Sequence, residues 1–385
     1  MTSVRTFTSS ALPAYDRGVE LGERHAEDVA RTVADYDRLF RARRAQCSDE
    51  PFDVALWSER AWAVIGALAP QAAQEIRGIA DGSGVDVRRI AGINARTELL
   101  AIANPTGTDE CSTVVSLAPG RPPVAVQTWD WYAAMAGNWF HWTIPHPDGR
   151  VVQTVTEYGI LGKIGVNTAG VGVMFNMLHH ANDLAGVPAG GEQASAAKAD
   201  GRQADGAHPI GYPLHLLARR VLDDARSVAD AVDLIGSVRT SASSSLTVVD
   251  ERAAVSAELF PGGLGLLRPD EDGLLVRTNH FVSAEGRGGC LAEDIGPGSR
   301  IRIDTLRGAL SGRAGDRAID GVDDVVATML DHRDVGGVCA HPDAAYDPVL
   351  QHATLATVGI DVAGLGLDVR AGGPCGAEVR VLAAS

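Results

Sequence analysis

The chain has 385 residues, 34 of them Lys or Arg and 49 Asp or Glu, giving a formal net charge of -15 at pH 7. An acidic surface repels phosphate backbones, which argues against a nucleic-acid partner, and no apolar run reaches the length of a membrane-spanning helix. The absence of a basic-then-apolar leader after Met1 predicts a cytoplasmic protein, and five cysteines, odd in number, widely spaced and without a C-x-x-C pair, predict reduced thiols rather than a disulfide framework or a zinc site.

In chain order, Tyr15 to Arg44 carries an imperfect helical stripe (Val19, Leu21, Ala26, Val29, Val33, Leu39). A second helix is predicted from Ala55 to Ala69. Pro70 opens a third, Gln71 to Ala80, because a first turn misses no amide hydrogen there, and Asp81-Gly-Ser-Gly ends it. A further helix follows over Val87 to Leu100. From Cys111 the texture changes to β-branched runs, Thr113 to Leu117, Val124 to Thr128 and Val151 to Glu157, separated by Pro/Gly turns. The glycine-rich block Gly159 to Asn176 reads as two strands joined at Asn167-Thr-Ala-Gly170. It contains no phosphate-loop pattern ahead of a helix, so a nucleotide loop is rejected. Residues 185–207 hold almost nothing large and apolar and predict a mobile surface loop. Pro213 introduces a helix through Leu222, and Ser227-Val-Ala-Asp230 resembles a capping box opening another through Ile235. Strands are predicted at Leu246 to Val249, Val255 to Leu259 and Leu274 to Thr278. Helices from Ile303 to Leu310 and Val322 to Leu330 precede the last strands, Thr354 to Asp361 and Gly366 to Arg370. Alternating blocks of strands and amphipathic helices predict two sheets packed face to face between helix layers.

The stretch Asp109 to Leu117 places Cys111 behind the Asn104-Pro-Thr-Gly loop and at the head of a strand, a position that suits a nucleophile; an inert core cysteine is the alternative. Adjacent residues on a strand point to opposite faces, so His179-His180 is a poor metal pair.

Taken together, several motifs resemble the acyl-coenzyme A:6-aminopenicillanate (isopenicillin N) acyltransferase family of N-terminal nucleophile hydrolases. They are Glu75-Ile-Arg-Gly-Ile-Ala-Asp-Gly, Asn94-Ala-Arg-Thr-Glu98, Cys111-Ser-Thr, Gln127-Thr-Trp-Asp-Trp131, Glu157-Tyr-Gly-Ile-Leu-Gly-Lys-Ile-Gly, Asn176-Met-Leu-His179, Thr278-Asn-His-Phe281, Ser299-Arg300 with Arg302, and Gly372-Gly-Pro-Cys375. The resemblance implies an α+β fold, a four-layer αββα sandwich. It also implies cleavage between Glu110 and Cys111, leaving a helical chain of residues 1–110 associated with a catalytic chain of residues 111–385. Cys111 would be the nucleophile, with Asp130 beside its amine, Asn176 as oxyanion donor and Arg300 orienting the thiolate. Trp129, Trp131, Phe140 and Phe175 would line an apolar acyl pocket. Ser245 stands nearest the position of a second polar anchor, where the family usually carries asparagine. Glu110 replaces the glycine common before the nucleophile.

The chemistry expected is attack by a thiol on an amide or thioester. A free α-amine titrates near ~7.7–8.0 and a thiol near ~8.5, so a proton passes between them at little cost. No cofactor is expected, although a coenzyme A thioester is admissible as co-substrate. The expected substrate is a small N-acyl amide or peptide, and a homo-oligomer is compatible with the sequence. Two competing readings are a thiol amidase assisted by His179, His180 or His280, and an uncleaved, inactive relative that binds an acylated ligand.

Overall fold

A computed structural model of the chain describes residues 4–105, 111–117, 120–184, 210–311 and 319–376. Glu110 and the loop of residues 185–207 lie outside the described residues. The order is β1 (Thr6–Thr8), α1 (Ala14–Arg24), α2 (Ala26–Ala45), α3 (Val54–Leu68), α4 (Pro70–Ser83), α5 (Val87–Asn94), α6 (Arg96–Ala103), β2 (Cys111–Ser116), β3 (Val124–Tyr132), β4 (Trp139–Pro145), β5 (Val151–Glu157), β6 (Ile164–Asn167) and β7 (Gly172–Met177). There follow α7 (Leu214–Asp224), α8 (Val228–Gly236), β8 (Ser244–Val249), β9 (Ala254–Phe260), β10 (Gly263–Leu267), β11 (Leu274–Arg277), α9 (Ala284–Arg287), α10 (Ala292–Ile295), α11 (Gly298–Leu310), α12 (Val322–Val326), β12 (His352–Asp361) and β13 (Gly366–Ala371).

The helices predicted over Tyr15 to Arg44 and Val87 to Leu100 are each broken once, at His25 and at Ala95, where φ/ψ leave the helical region. Ser227 caps α8 as expected, its hydroxyl accepting from the Asp230 amide at 3.1 Å. Strands β1, β4 and β10 were not expected from the sequence.

The strands form two sheets: an eight-stranded one ordered β1-β4-β5-β6-β7-β8-β9-β10 and a five-stranded one ordered β11-β2-β3-β12-β13. Alternation along each strand assigns the faces. On β2 and β3, Val114, Val124 and Val126 pack outward in a core shared with Ile303, Leu306 and Leu310 of α11 and with Val325 and Val326 of α12. The inward residues Thr113 and Gln127 reach the other sheet. With α7 and α8 packed on the eight-stranded sheet, the layers run helix, sheet, sheet, helix.

The interface between the sheets is partly polar, and its polar groups are paired. The Gln127 carboxamide donates to the Phe175 carbonyl at 2.6 Å and accepts from the Phe175 amide at 3.1 Å, pinning β3 to β7. Glu258 on β9 pairs with Arg277 on β11, both fully buried.

Helices α1 and α4 press backbone to backbone. A Cβ on Gly18 would lie 2.2 Å from the Glu75 carbonyl oxygen, and one on Gly78 2.0 Å from that of Tyr15, so only glycine fits at either position. Glu75 at this contact accepts from Arg17 at 2.9 and 2.6 Å and from Arg219 of α7 at 3.3 and 3.2 Å, locking three helices together.

Because replacing Gln127 strands a buried N–H and a buried C=O on Phe175, Gln127→Leu is expected to lower unfolding free energy by roughly 2–5 kcal/mol. Urea denaturation followed by tryptophan fluorescence measures this; a change below about 0.5 kcal/mol would refute the pinning role.

Candidate active site

Cys111 is the first residue of β2 and only 6% exposed. Its backbone nitrogen donates to Asn279 Oδ1 at 2.9 Å, its carbonyl accepts from Asn176 Nδ2 at 3.1 Å, and its Sγ lies 3.7 Å from the main-chain carbonyl of Asp130. Asn279 Oδ1 also accepts from Arg302 Nη2 at 2.7 Å, while Asn279 Nδ2 donates to the Met177 carbonyl at 2.9 Å. One carboxamide therefore ties the head of β2 to the end of β7 and to α11.

Asn176 meets Cys111, but through the cysteine's own carbonyl, and its Oδ1 accepts from Thr113 Oγ1 at 2.8 Å. Asp130 lies on the face of β3 opposite Trp129 and Trp131. Its carboxylate accepts from Thr354 Oγ1, and what it presents to the Cys111 thiol is its carbonyl. Arg300 is an exposed residue of α11, whereas Arg302 is buried and reaches the cluster, because Asn279 meets the face of α11 that carries Ser299 and Arg302. The expected roles of Asn176, Asp130 and Arg300 thus meet different geometry from that expected.

Trp129 pairs directly with Cys111 across the strands, so the two side chains share a face. Its buried indole N–H has no hydrogen-bond partner among the described residues. Trp131 donates through Nε1 to Tyr36 Oη at 3.0 Å. Phe175, expected in the pocket, instead stacks on His215 of α7 with centroids 4.8 Å apart, on the face of β7 opposite Asn176. Phe140 stacks on Tyr158 at 4.3 Å. Ser245 pairs with Asn176 in register, and its Oγ lies 2.6 Å from Ser256 Oγ.

Sequence reasoning missed three contributors. Asn279, quoted only within the Thr278-Asn-His-Phe281 motif, holds the Cys111 nitrogen. Arg302 was quoted in a motif without a role. The third is Lys163, fully buried, whose Nζ sits 3.3 Å from the Trp129 ring centroid and 3.1 Å from Glu157 Oε2. Glu157 also pairs with Arg96 at 3.2 Å, and Arg96 covers the Trp131 ring at 4.1 Å. Burial pushes the Lys163 ammonium well below its ordinary value and Arg96 adds to this, against the opposing charges of Glu157 and of Cys111, which lies close enough to be felt. A cation in a stretch otherwise buried and apolar was the available signal.

His280 is held by Ser299, with Nδ1 2.8 Å from Oγ. Burial, reinforced by Arg277, pushes its imidazole down to about 3, so it is too weak a base to take a thiol proton near neutrality.

The fold brings together two of the cysteines that are widely spaced in the sequence. Cys339 and Cys375 lie with their sulfurs 3.5 Å apart, beside His341 and His332, because the turn after α12 and the end of β13 meet over β12.

The fold is an α+β αββα sandwich of two sheets between helix layers, with Cys111 at the head of β2, a strand inside the five-stranded sheet. Residues 203–374 match the model of the acyl-coenzyme A:6-aminopenicillanic acid acyl-transferase family, the family that the sequence motifs resemble. The chain is also 30% identical over 217 residues to the 40 kDa form of the acyl-coenzyme A:6-aminopenicillanic-acid-acyltransferase of Emericella nidulans; the alignment spans 56% of this chain and about half, 54%, of that relative. Among solved structures, penicillin V acylase from Agrobacterium tumefaciens aligns at a TM-score of 0.39 and 14% identity, over 68% of this chain and 83% of that one.

One buried carboxylate lies beside this machinery without joining the Cys111 contacts. Burial raises Glu98 on α6 to about 7, partly offset by the Leu214 amide that donates to its Oε1. A folded-state value above the unfolded one means that the folded chain binds the extra proton. Stability is then full below about pH 4.5 and is lost as pH rises through about 7. Glu98→Gln keeps the acceptor for Leu214 and removes the titration. It is expected to gain about 3 kcal/mol over wild type at about pH 8 and nothing near pH 4. Denaturation midpoints at the two pH values measure this; a pH-independent difference would refute it.

Proposed function

We propose that the chain is an enzyme that hydrolyses or transfers the acyl group of N-acyl amides or acyl thioesters, using Cys111 as nucleophile after cleavage of the Glu110–Cys111 bond. One observation carries this reading. At the head of β2, a single cysteine has its nitrogen on Asn279, its sulfur facing a strand carbonyl and its own carbonyl on Asn176, so thiol and prospective amine are held on one fixed residue. The acyltransferase named above agrees with this chemistry.

Maturation begins when the Cys111 thiol adds to the Glu110 carbonyl carbon. Its proton passes to the departing nitrogen as the C–N bond breaks, leaving a thioester to Glu110 and a free α-amine. Water then cleaves the thioester and restores the thiol. In the mature enzyme the α-amine takes the thiol proton, and the thiolate adds to the substrate carbonyl to form an oxyanion. Donors suited to that oxygen are the unpaired Trp129 indole N–H and the second N–H of the Asn176 amide. Collapse expels the substrate amine, which carries off the proton, and leaves an acyl thioester on Cys111. Water completes hydrolysis, while an acceptor amine completes transfer. A coenzyme A thioester enters the same cycle as acyl donor, with the thiol of coenzyme A as leaving group. Arg302 favours the thiolate, as does Lys163 when protonated, a state that the Cys111 charge in turn favours, and the indole faces of Trp129 and Trp131 favour an apolar acyl chain.

Intact-mass measurement of purified protein tests the maturation. The expected result is two associated chains, the second beginning at Cys111. Cys111→Ala is expected to remain one inactive chain, and Glu110→Gly to process faster than wild type. Full turnover of N-acyl amides by an uncleaved chain would sink the proposal.

Turnover is assayed with a panel of N-acyl amides and acyl thioesters, with and without an acceptor amine. Lys163→Met is expected to lower kcat/KM by at least tenfold while leaving the chain processed. Unchanged kcat/KM would remove Lys163 from the site.

A further inference from the structure

Two segments far apart in sequence bring four soft or borderline donors to one point. The 3₁₀ turn Ala327–Met329 leads to His332. The chain then folds back so that the Cys339 amide donates to the Asp331 carbonyl at 3.0 Å, setting Cys339 and His341 next to His332. Beyond β13, the turn at Gly372–Gly376 delivers Cys375. Gly373 passes so close that a Cβ there would lie 2.5 Å from Cys339 Sγ. One ligand atom from each of the four residues falls within 4.8 Å of the other three.

We infer that His332, Cys339, His341 and Cys375 form a tetrahedral Cys₂His₂ site for a zinc ion, a structural site separate from the Cys111 chemistry. The spacing carries it. Zinc bonds of ~2.3 Å to sulfur and ~2.0–2.1 Å to nitrogen, arranged tetrahedrally, place donor atoms about 3.4–3.8 Å from one another. The observed separations are 3.5 Å for Cys339 Sγ to Cys375 Sγ, 3.7 Å for Cys339 Sγ to His341 Nε2 and 3.6 Å for Cys375 Sγ to His341 Nε2. The His332 and His341 rings lie 5.1 Å apart between centroids, so His332 completes the fourth corner with a small rotation. Two thiolates with two imidazoles suit zinc and disfavour magnesium or calcium, which take oxygen donors. His332 and His341 are exposed, which gives the ion a path in. Binding releases the two thiol protons to solvent, and no redox partner is involved.

The site also braces the Cys111 cluster from behind. Ala340, between two ligands, donates its amide to Thr354 Oγ1 at 2.9 Å and accepts the Thr354 amide at 3.0 Å, and the Thr354 hydroxyl donates to the Asp130 carboxylate. The ion would fix the loop that positions Asp130.

The test is elemental analysis of untagged full-length protein, purified without chelator and after reconstitution with zinc sulfate, together with the visible spectrum of the cobalt(II)-loaded chain. The expected results are close to one zinc per chain and a tetrahedral, thiolate-bound cobalt spectrum. Cys375→Ala and His341→Ala, both at the surface, are each expected to cut zinc content at least tenfold at a fixed chelator concentration while keeping the wild-type circular dichroism. Three results would overturn the inference: no zinc uptake by wild type, equal zinc content in the variants, or a Cys339–Cys375 disulfide, seen as a mass lower by two hydrogens in the metal-free chain.

Discussion

A polar atom buried between two sheets must be met by another, and at Cys111 that demand decides the geometry. The Cys111 nitrogen and the Arg302 guanidinium both donate to Asn279 Oδ1, and leaving either donor unmet would cost about 1–3 kcal/mol. Since Asn279 also donates to the Met177 carbonyl, the head of β2 cannot shift without unseating α11 or the end of β7. The acceptor is suited to both states of the nitrogen, because an amide and a neutral amine each have an N–H to give. On the proposed reading, cleavage frees a lone pair on that nitrogen without removing its anchor, so the site needs no rearrangement to become basic.

The charges around this anchor form a second constraint. Glu157 is buried and contacts two cations, Arg96 and Lys163; although burial opposes it, they hold its carboxylate below the usual range. With Lys163 protonated, two cations against one carboxylate leave a surplus of positive charge beside the Cys111 thiol, part of it over the faces of Trp129 and Trp131, and burial opposes it by pushing that ammonium well below its ordinary value. Such a surplus is costly in a core. On the proposed reading it has a use, since the reaction there develops a negative charge.

Much of this was legible in the sequence, and what was missed has physical causes. The strand-head position of Cys111 follows from the Pro/Gly loop and the β-branched run after it, and the layered sandwich follows from the order of elements. Breaks at His25 and Ala95 occur without glycine or proline, so no local signal marked them. β10, Gly263–Leu267, is rich in glycine and pairs only along the edge with β9, a setting that propensity disfavours. The orientation of Asp130 was available from the two-residue period, since with Trp129 and Trp131 facing inward the residue between them must face out. Helical spacing likewise distinguishes Arg302 from Arg300, because Ser299 and Arg302 are three apart and share a face. Cys375 joining Cys339 could not be read locally, because their meeting depends on β12 pairing with β13.

The two faces of β3 therefore divide the work. The inward face carries Gln127, Trp129 and Trp131, which pin the sheets and wall the thiol. The outward face carries Asp130, whose carboxylate is engaged by Thr354 across the strand pair. A carboxylate held there acts on Cys111 through the strand it fixes, because the carbonyl that faces Sγ belongs to the same residue. Any loosening of Thr354 would move that carbonyl relative to the sulfur. The loop from Asp331 to Ala340, which brackets Thr354 from both its amide and its hydroxyl, is thus mechanically continuous with Cys111, although it lies on the opposite side of the sheet.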